Sequence, residues 1–163
     1  MALHLPMAIV AIHLSASPEI PPKTLHLAQE RAAQILASAH LKPVWLDHAD
    51  LQLYIVATEP RGPATDATGF AVLIPGANGY AAVCWPAVLR EATQMEVDPA
   101  LLLGAAMAHE LGHLLFGRWH THSGVMSPRL GPKEMELAAR GELRFEGRTQ
   151  HLLTSGRNPL FSR

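Results

Sequence analysis

His109-Glu110-Leu111-Gly112-His113 lies inside the apolar run from Ala100 to Phe116, and the reading of this chain turns on it. Residues four apart on a helix sit about 40° apart around the axis and about 6 Å apart along it. Two imidazoles at that spacing project from one face and can grip one metal ion. Glu110 follows the first of them and can reach a water held by that metal. A metal-activated water beside a carboxylate is a ready source of a nucleophile, the carboxylate taking the proton.

On the N-terminal side, Asp98-Pro99 reads as an N-cap followed by proline at the first helical position. Val97 and Leu102 stand where a hydrophobic staple would join. From Ala100 to Phe116 nearly every residue is apolar, and the only ionisable ones are His109, Glu110 and His113. A helix apolar on almost every face is a buried one. Placing three ionisable groups in it is costly unless something pairs them, and a metal does so. Gly117 supplies the stop.

On the C-terminal side the chain continues Gly117-Arg118-Trp119-His120-Thr121-His122-Ser123-Gly124-Val125-Met126-Ser127-Pro128. H-E-x-x-H is the zinc pattern of metallopeptidases. With a further His after a glycine and a methionine turn beyond it, the chain resembles the metzincins. Their spacing is H-E-x-x-H-x-x-G-x-x-H, and this chain has one extra residue between His113 and Gly117. His120 keeps the glycine-to-histidine step and leaves a short run to Met126, so it is the favoured third ligand. His122 is the rival. The segments around His109–Met126 and Glu136–Phe145 are similar to a group of small bacterial metzincin-like proteins without a settled substrate. Residues 98–145 carry that similarity with specificity, and the N-terminal half carries it only in layout.

The resemblance implies an α/β (α+β) zincin-like fold. A twisted, mostly parallel five-stranded sheet with one antiparallel edge strand would pack on an N-terminal helix and the zinc-site helix. It implies one catalytic zinc ion on His109, His113 and His120, Glu110 as general base, and Met126 as soft packing beneath the ligands. Gly69-Phe70-Ala71-Val72-Leu73-Ile74 would be the cleft edge, able to pair with an extended peptide or protein substrate. Several metzincins carry a Tyr two residues after the turn methionine, and here that position is Pro128. The expected activity is peptide-bond hydrolysis. A zinc-binding interaction module without turnover, or a zinc hydrolase acting on something other than peptides, are the alternatives, because fold and metal do not fix the substrate.

Composition bounds the rest. A chain of 163 residues reads as one domain, 1–163, with sheet and first helix in 1–97 and the zinc helix, methionine turn and C-terminal helices in 98–163. Hydrophobic content of 48% and charged content of 17% mark a globular chain. A net charge of −1 without runs of like sign argues against nucleic acid as a partner. The single cysteine, Cys84, reads as a buried small hydrophobe. The apolar start, Met1 to Ala16, lacks a basic leader, so it reads as a first strand rather than a signal peptide. No stretch reads as a membrane span, and the expectation is a cytoplasmic monomer.

Hydrophobic periodicity and turn residues place a buried strand at Met7–Leu14 and an amphipathic helix at Lys23–Ala39. Strands follow at Val44–Leu46 and Leu51–Ala57, then a Pro- and Gly-rich loop at Thr58–Thr68. Gly69–Pro75 and Gly79–Trp85 form a hairpin, Pro86 opens a helix to Met95, and Pro132–Arg140 forms a helix closed by Gly141. A final helical turn is expected at Arg148–Ser155.

Overall fold

The computed structural model describes residues 7–59 and 67–146. The expected turn at Arg148–Ser155 lies outside these residues, as does most of the Thr58–Thr68 loop.

Strand β1 (Ala8–Ala16) turns Val10 and Ile12 inward and leaves Ile9 68% exposed. The apolar run that reads as a largely buried strand is therefore half-buried. The reason is that β1 sits in a sheet whose helices, among the described residues, cover one face only. That sheet contains β2 (Leu41–Leu46), β3 (Leu51–Val56), β4 (Gly69–Val72) and β5 (Tyr80–Cys84) in the order β2-β1-β3-β5-β4. Every neighbouring pair is parallel except β4 with β5. The fold is α/β with a five-stranded mixed sheet and, among the described residues, four helices. Across the open face His13, Tyr54, Tyr80 and Phe70 line up edge to face, one per strand, with centroids 6.3 to 6.4 Å apart. These rings fill what would otherwise be a bare sheet surface.

Helix α1 (Pro22–Ala37) presents Ala28, Ala32, Ile35 and Leu36 to the core. It stops two residues earlier than its periodicity predicts. The Ser38 hydroxyl donates to the Ile35 carbonyl at 2.6 Å, and His40 adopts a left-handed φ of 56°. Strand β2 then begins at Leu41 and runs through Pro43, three residues ahead of the expected start at Val44. Edge strands are where a proline is tolerated. Helix α2 (Trp85–Met95) follows β5 directly, and Glu96 in a left-handed conformation ends it.

Helix α3 (Pro99–Phe116) is capped as its sequence demands, with Asp98 Oδ1 accepting the Ala100 N–H at 2.8 Å. It packs on α1, α2 and strands β3 to β5. By length and composition α3 could cross a membrane, but most of it is buried inside this fold. Helix α4 (Pro132–Ala139) opens with the Glu134 carboxylate accepting the Gly131 N–H at 3.1 Å. Beyond Gly141, with φ of 72°, a C-terminal strap carries Leu143 and Phe145 back into the core. One hydrophobic cluster runs from Val10 to Phe145 and includes both halves of the chain.

Candidate metal centre

The last two turns of α3 carry His109, Glu110 and His113 on the flank that meets β4 and the 117–131 segment. The His109 Nδ1 lies 2.7 Å from the Val125 carbonyl, and the His113 Nδ1 lies 3.0 Å from the Gly117 carbonyl. A carbonyl only accepts, so both Nδ1 atoms donate and both Nε2 atoms keep a lone pair. Those two Nε2 atoms face each other at 3.0 Å. With neither carrying a hydrogen, this is a repulsive contact that a shared cation would relieve. Two nitrogens on one tetrahedral metal at its usual bond length stand roughly 3.3 Å apart, close to the spacing found.

His120 completes the set. Its ring centroid lies 5.4 Å from that of His109 and 4.9 Å from that of His113. One ligand atom from each of the three lies within 4.8 Å of the others, close enough to hold a metal ion. His122 is exposed and is not part of this group. The geometry follows from the glycine. Gly117, at φ of 108°, takes a conformation that few side chains allow, and turns the chain out of α3. Trp119 Nε1 then donates to the Phe116 carbonyl at 2.8 Å and fixes the turn that delivers His120. The extra residue between His113 and Gly117 is absorbed as helix, since α3 continues to Phe116.

Burial sets the protonation of this cluster. Desolvation lowers His109 to about 4, against a weaker opposing pull from its bond to Val125. His113 is lowered too, again chiefly by burial. Both are therefore neutral near pH 7, as ligands must be. Glu110 is only 4% exposed, and its Oε2 makes no hydrogen bond among the described residues. Desolvation raises its pKa to about 8. A buried carboxyl without a partner is costly. A cation held by the adjacent imidazoles would supply the missing charge and pull this value back down.

Met126 is fully buried beneath the helix. A Cβ added at Gly112 would stand 2.5 Å from its sulfur and 2.8 Å from the Phe145 ring, so any larger residue would have to push the Met126 and Phe145 side chains aside. Gly69, at the start of β4, is constrained in the same way. A Cβ there would meet the Ala82 carbonyl at 2.7 Å and Glu110 Oε1 at 2.8 Å. The start of the edge strand is thus held against the carboxylate.

Of the expected cleft edge, Gly69 to Val72 form β4, while Leu73 and Ile74 fall in the connection to β5. A Pro-Gly turn and Gly79 follow, and the ladder ends at the Val72–Tyr80 pair. Gly69, Phe70 and Ala71 border a cavity of about 650 Å³ that also takes in His109, Glu110, His113 and His120. Its far wall is Ser127 to Pro132, with Glu91, Gln94 and Met95 of α2 and Arg118 at the rim. The sequence alone does not mark the Val125 carbonyl, Phe145, or the cavity-lining Arg118 and Arg129. The first is a backbone group and leaves no mark in sequence. Phe145 carried only a generic core signal.

No protein-family model matches the chain, and a search of curated proteins finds no significant relative.

Proposed function

We propose that this chain is a zinc-dependent peptidase of metzincin type, with His109, His113 and His120 as the metal ligands. The observation that carries the reading is the convergence of two lone-pair nitrogens and a third imidazole beside the buried Glu110 carboxyl, whose Oε2 has no hydrogen bond among the described residues. Three imidazoles are a set that suits catalytic zinc, which keeps a fourth position for water or substrate. The two Nδ1 bonds to Val125 and Gly117 orient the rings, as outer partners do in metal sites. Zinc, when bound, polarises a carbonyl and makes water acidic.

The protein's own groups do the remainder. An extended peptide lies along β4, its scissile carbonyl at the His109–His113–His120 cluster. Glu110 accepts a proton from water as the water oxygen bonds to the carbonyl carbon. When the C–N bond breaks, Glu110 returns that proton to the departing amine. Pro128, where some metzincins have Tyr, gives no hydroxyl to the developing oxyanion.

A peptide-library digest with zinc-loaded protein tests this, with metal content measured alongside. Glu110→Gln is expected to keep its zinc and lose at least about 100-fold in rate, the scale of general base catalysis. His120→Ala is expected to weaken zinc binding far more than His122→Ala. Equal cleavage by Glu110→Gln would end the mechanism, and failure of the parent to bind zinc would end the whole reading.

A further inference from the structure

The arginines among the described residues divide into two sets. Arg31, Arg90 and Arg140 are satisfied by neighbours: Arg31 bonds Gln34, Arg90 pairs with Glu59, and Arg140 pairs with Glu136 and Glu142. Arg118, Arg129 and Arg144 have no such partner among the described residues, and two of these three line the cavity at the metal centre. Arg118 stands two residues before His120, and Arg129 three residues after Met126. Both are exposed. The one carboxyl beside the imidazoles, Glu110, is enclosed and only 4% exposed, and no ion pair joins it to either arginine among the described residues.

Two free guanidinium groups in a concave wall draw anions, because low-dielectric walls focus their field on whatever enters. A guanidinium also matches a carboxylate with two parallel N–H donors, a geometry an ammonium lacks. We propose that Arg118 and Arg129 select peptides carrying a carboxylate close to the bond that is cut, an inference that rests on the peptidase reading above. The carboxylate can belong to the free C-terminus of a short peptide or to an Asp or Glu side chain.

The test separates binding from turnover. Fluorescent peptides of one sequence, with free or amidated C-terminus and with Asp and Glu or Asn and Gln beside the cleavage point, are titrated against zinc-loaded Glu110→Gln protein. Hydrolysis by the parent protein is measured in parallel. The anionic peptides are expected to bind about ten-fold more tightly at low salt, roughly one good ion pair, with the gap closing as salt rises. The gap should narrow in Arg118→Ala and Arg129→Ala, and Arg→Lys should restore it only in part. Lys42→Ala, a charge lost on the far edge strand, should leave it intact. Preference for the free C-terminus identifies the chain end as the recognised carboxylate, and preference for Asp and Glu identifies the side chain. Equal binding of charged and neutral peptides, no binding of either, or a preference that survives the double Arg→Ala variant would overturn the inference. Cleavage without charge preference removes this inference alone, whereas charge-selective binding without cleavage removes the peptidase reading and the placement beside a cut bond, leaving carboxylate binding by the two arginines.

Discussion

Glu110 and His109 are neighbours whose burial shifts them in opposite directions, and the consequence is measurable in metal-free protein. Glu110 is raised by burial from 4.5 to about 8, so between those values the folded chain holds a proton that the unfolded chain has released. Stability must then fall as pH rises through that window. His109 is lowered by burial from 6.5 to about 4, so between those values the unfolded chain binds a proton that the folded chain refuses. Stability must then rise with pH, and His113 adds in the same sense. The two effects oppose each other from 4.5 to 6.5, and Glu110 acts alone from 6.5 to 8. The Tm of metal-free protein is accordingly expected to decline from pH 6.5 to pH 8. Glu110→Gln, neutral throughout, should flatten that limb. A parent Tm that holds steady there, or an equal decline in the Gln variant, would contradict the burial argument. At this scale the sequence was informative wherever chemistry and spacing coincide. His109, Glu110 and His113 could be read because an i, i+4 pair shares a helix face whatever surrounds it. Gly69 could not, because its need for a missing Cβ arises from Glu110, 41 positions away in the chain.

Among the elements, β4 is the one whose geometry makes a choice the sequence left open. Its ladder with β5 pairs Gly69 with Val83 and Val72 with Tyr80, and the Cys84 N–H donates to the Thr68 carbonyl at 2.7 Å. Hydrogen-bonded pairs alternate along an antiparallel ladder. Counting on from Thr68–Cys84, the bonded pairs are Phe70–Ala82 and Val72–Tyr80. The backbone groups of Gly69 and Ala71 therefore point away from β5, toward the free edge. Under the peptidase reading, Ala71→Pro deletes an N–H that an extended substrate would use. It should raise KM several-fold while zinc content and folding persist. Val72→Pro deletes a bond to β5 instead and should lower Tm. An Ala71→Pro enzyme with unchanged KM, or an inhibitor complex with the peptide far from β4, would remove β4 from substrate binding. The order of helices and strands was legible because amphipathic and alternating patterns survive in a single sequence. The boundaries were not, and each miss has a local cause. Ser38 ends α1 early by bonding its own helix, Pro43 is carried on an edge strand, and β4 stops where the Pro-Gly turn needs room.

In the whole molecule, the cluster is braced from below by parts of the chain distant in sequence. The Phe145 ring is fully buried against Phe116, with centroids 5.5 Å apart, and crowds Gly112 beside the Met126 sulfur. Its N–H donates to the Ser38 hydroxyl at 3.0 Å, which ties the strap to the end of α1. One residue earlier, the Arg144 carbonyl accepts the Val125 N–H at 2.9 Å, and the Val125 carbonyl in turn accepts from His109. The strap thus holds the peptide that aims His109, while Met126 and Phe145 support the helix turn between His109 and His113. None of this was readable from sequence, since contacts spanning over 100 positions, such as Ser38 with Phe145, leave no periodicity. Truncating Phe145 should cost stability and metal affinity together. Phe145→Ala is expected to destabilise by about 3–5 kcal/mol, as large core truncations do. Val10→Ala, a smaller core truncation on β1, serves as the comparison because it lies outside the strap and the methionine turn. Under the zinc reading, a site bound at 100 times its dissociation constant stabilises by about 2.7 kcal/mol, so the rise in Tm on adding zinc reports affinity directly. That rise should shrink in Phe145→Ala and persist in Val10→Ala, with calorimetric titration of zinc giving the same ranking. Equal zinc affinity in the two variants would mean that the strap serves the fold alone and that His109 is aimed without it.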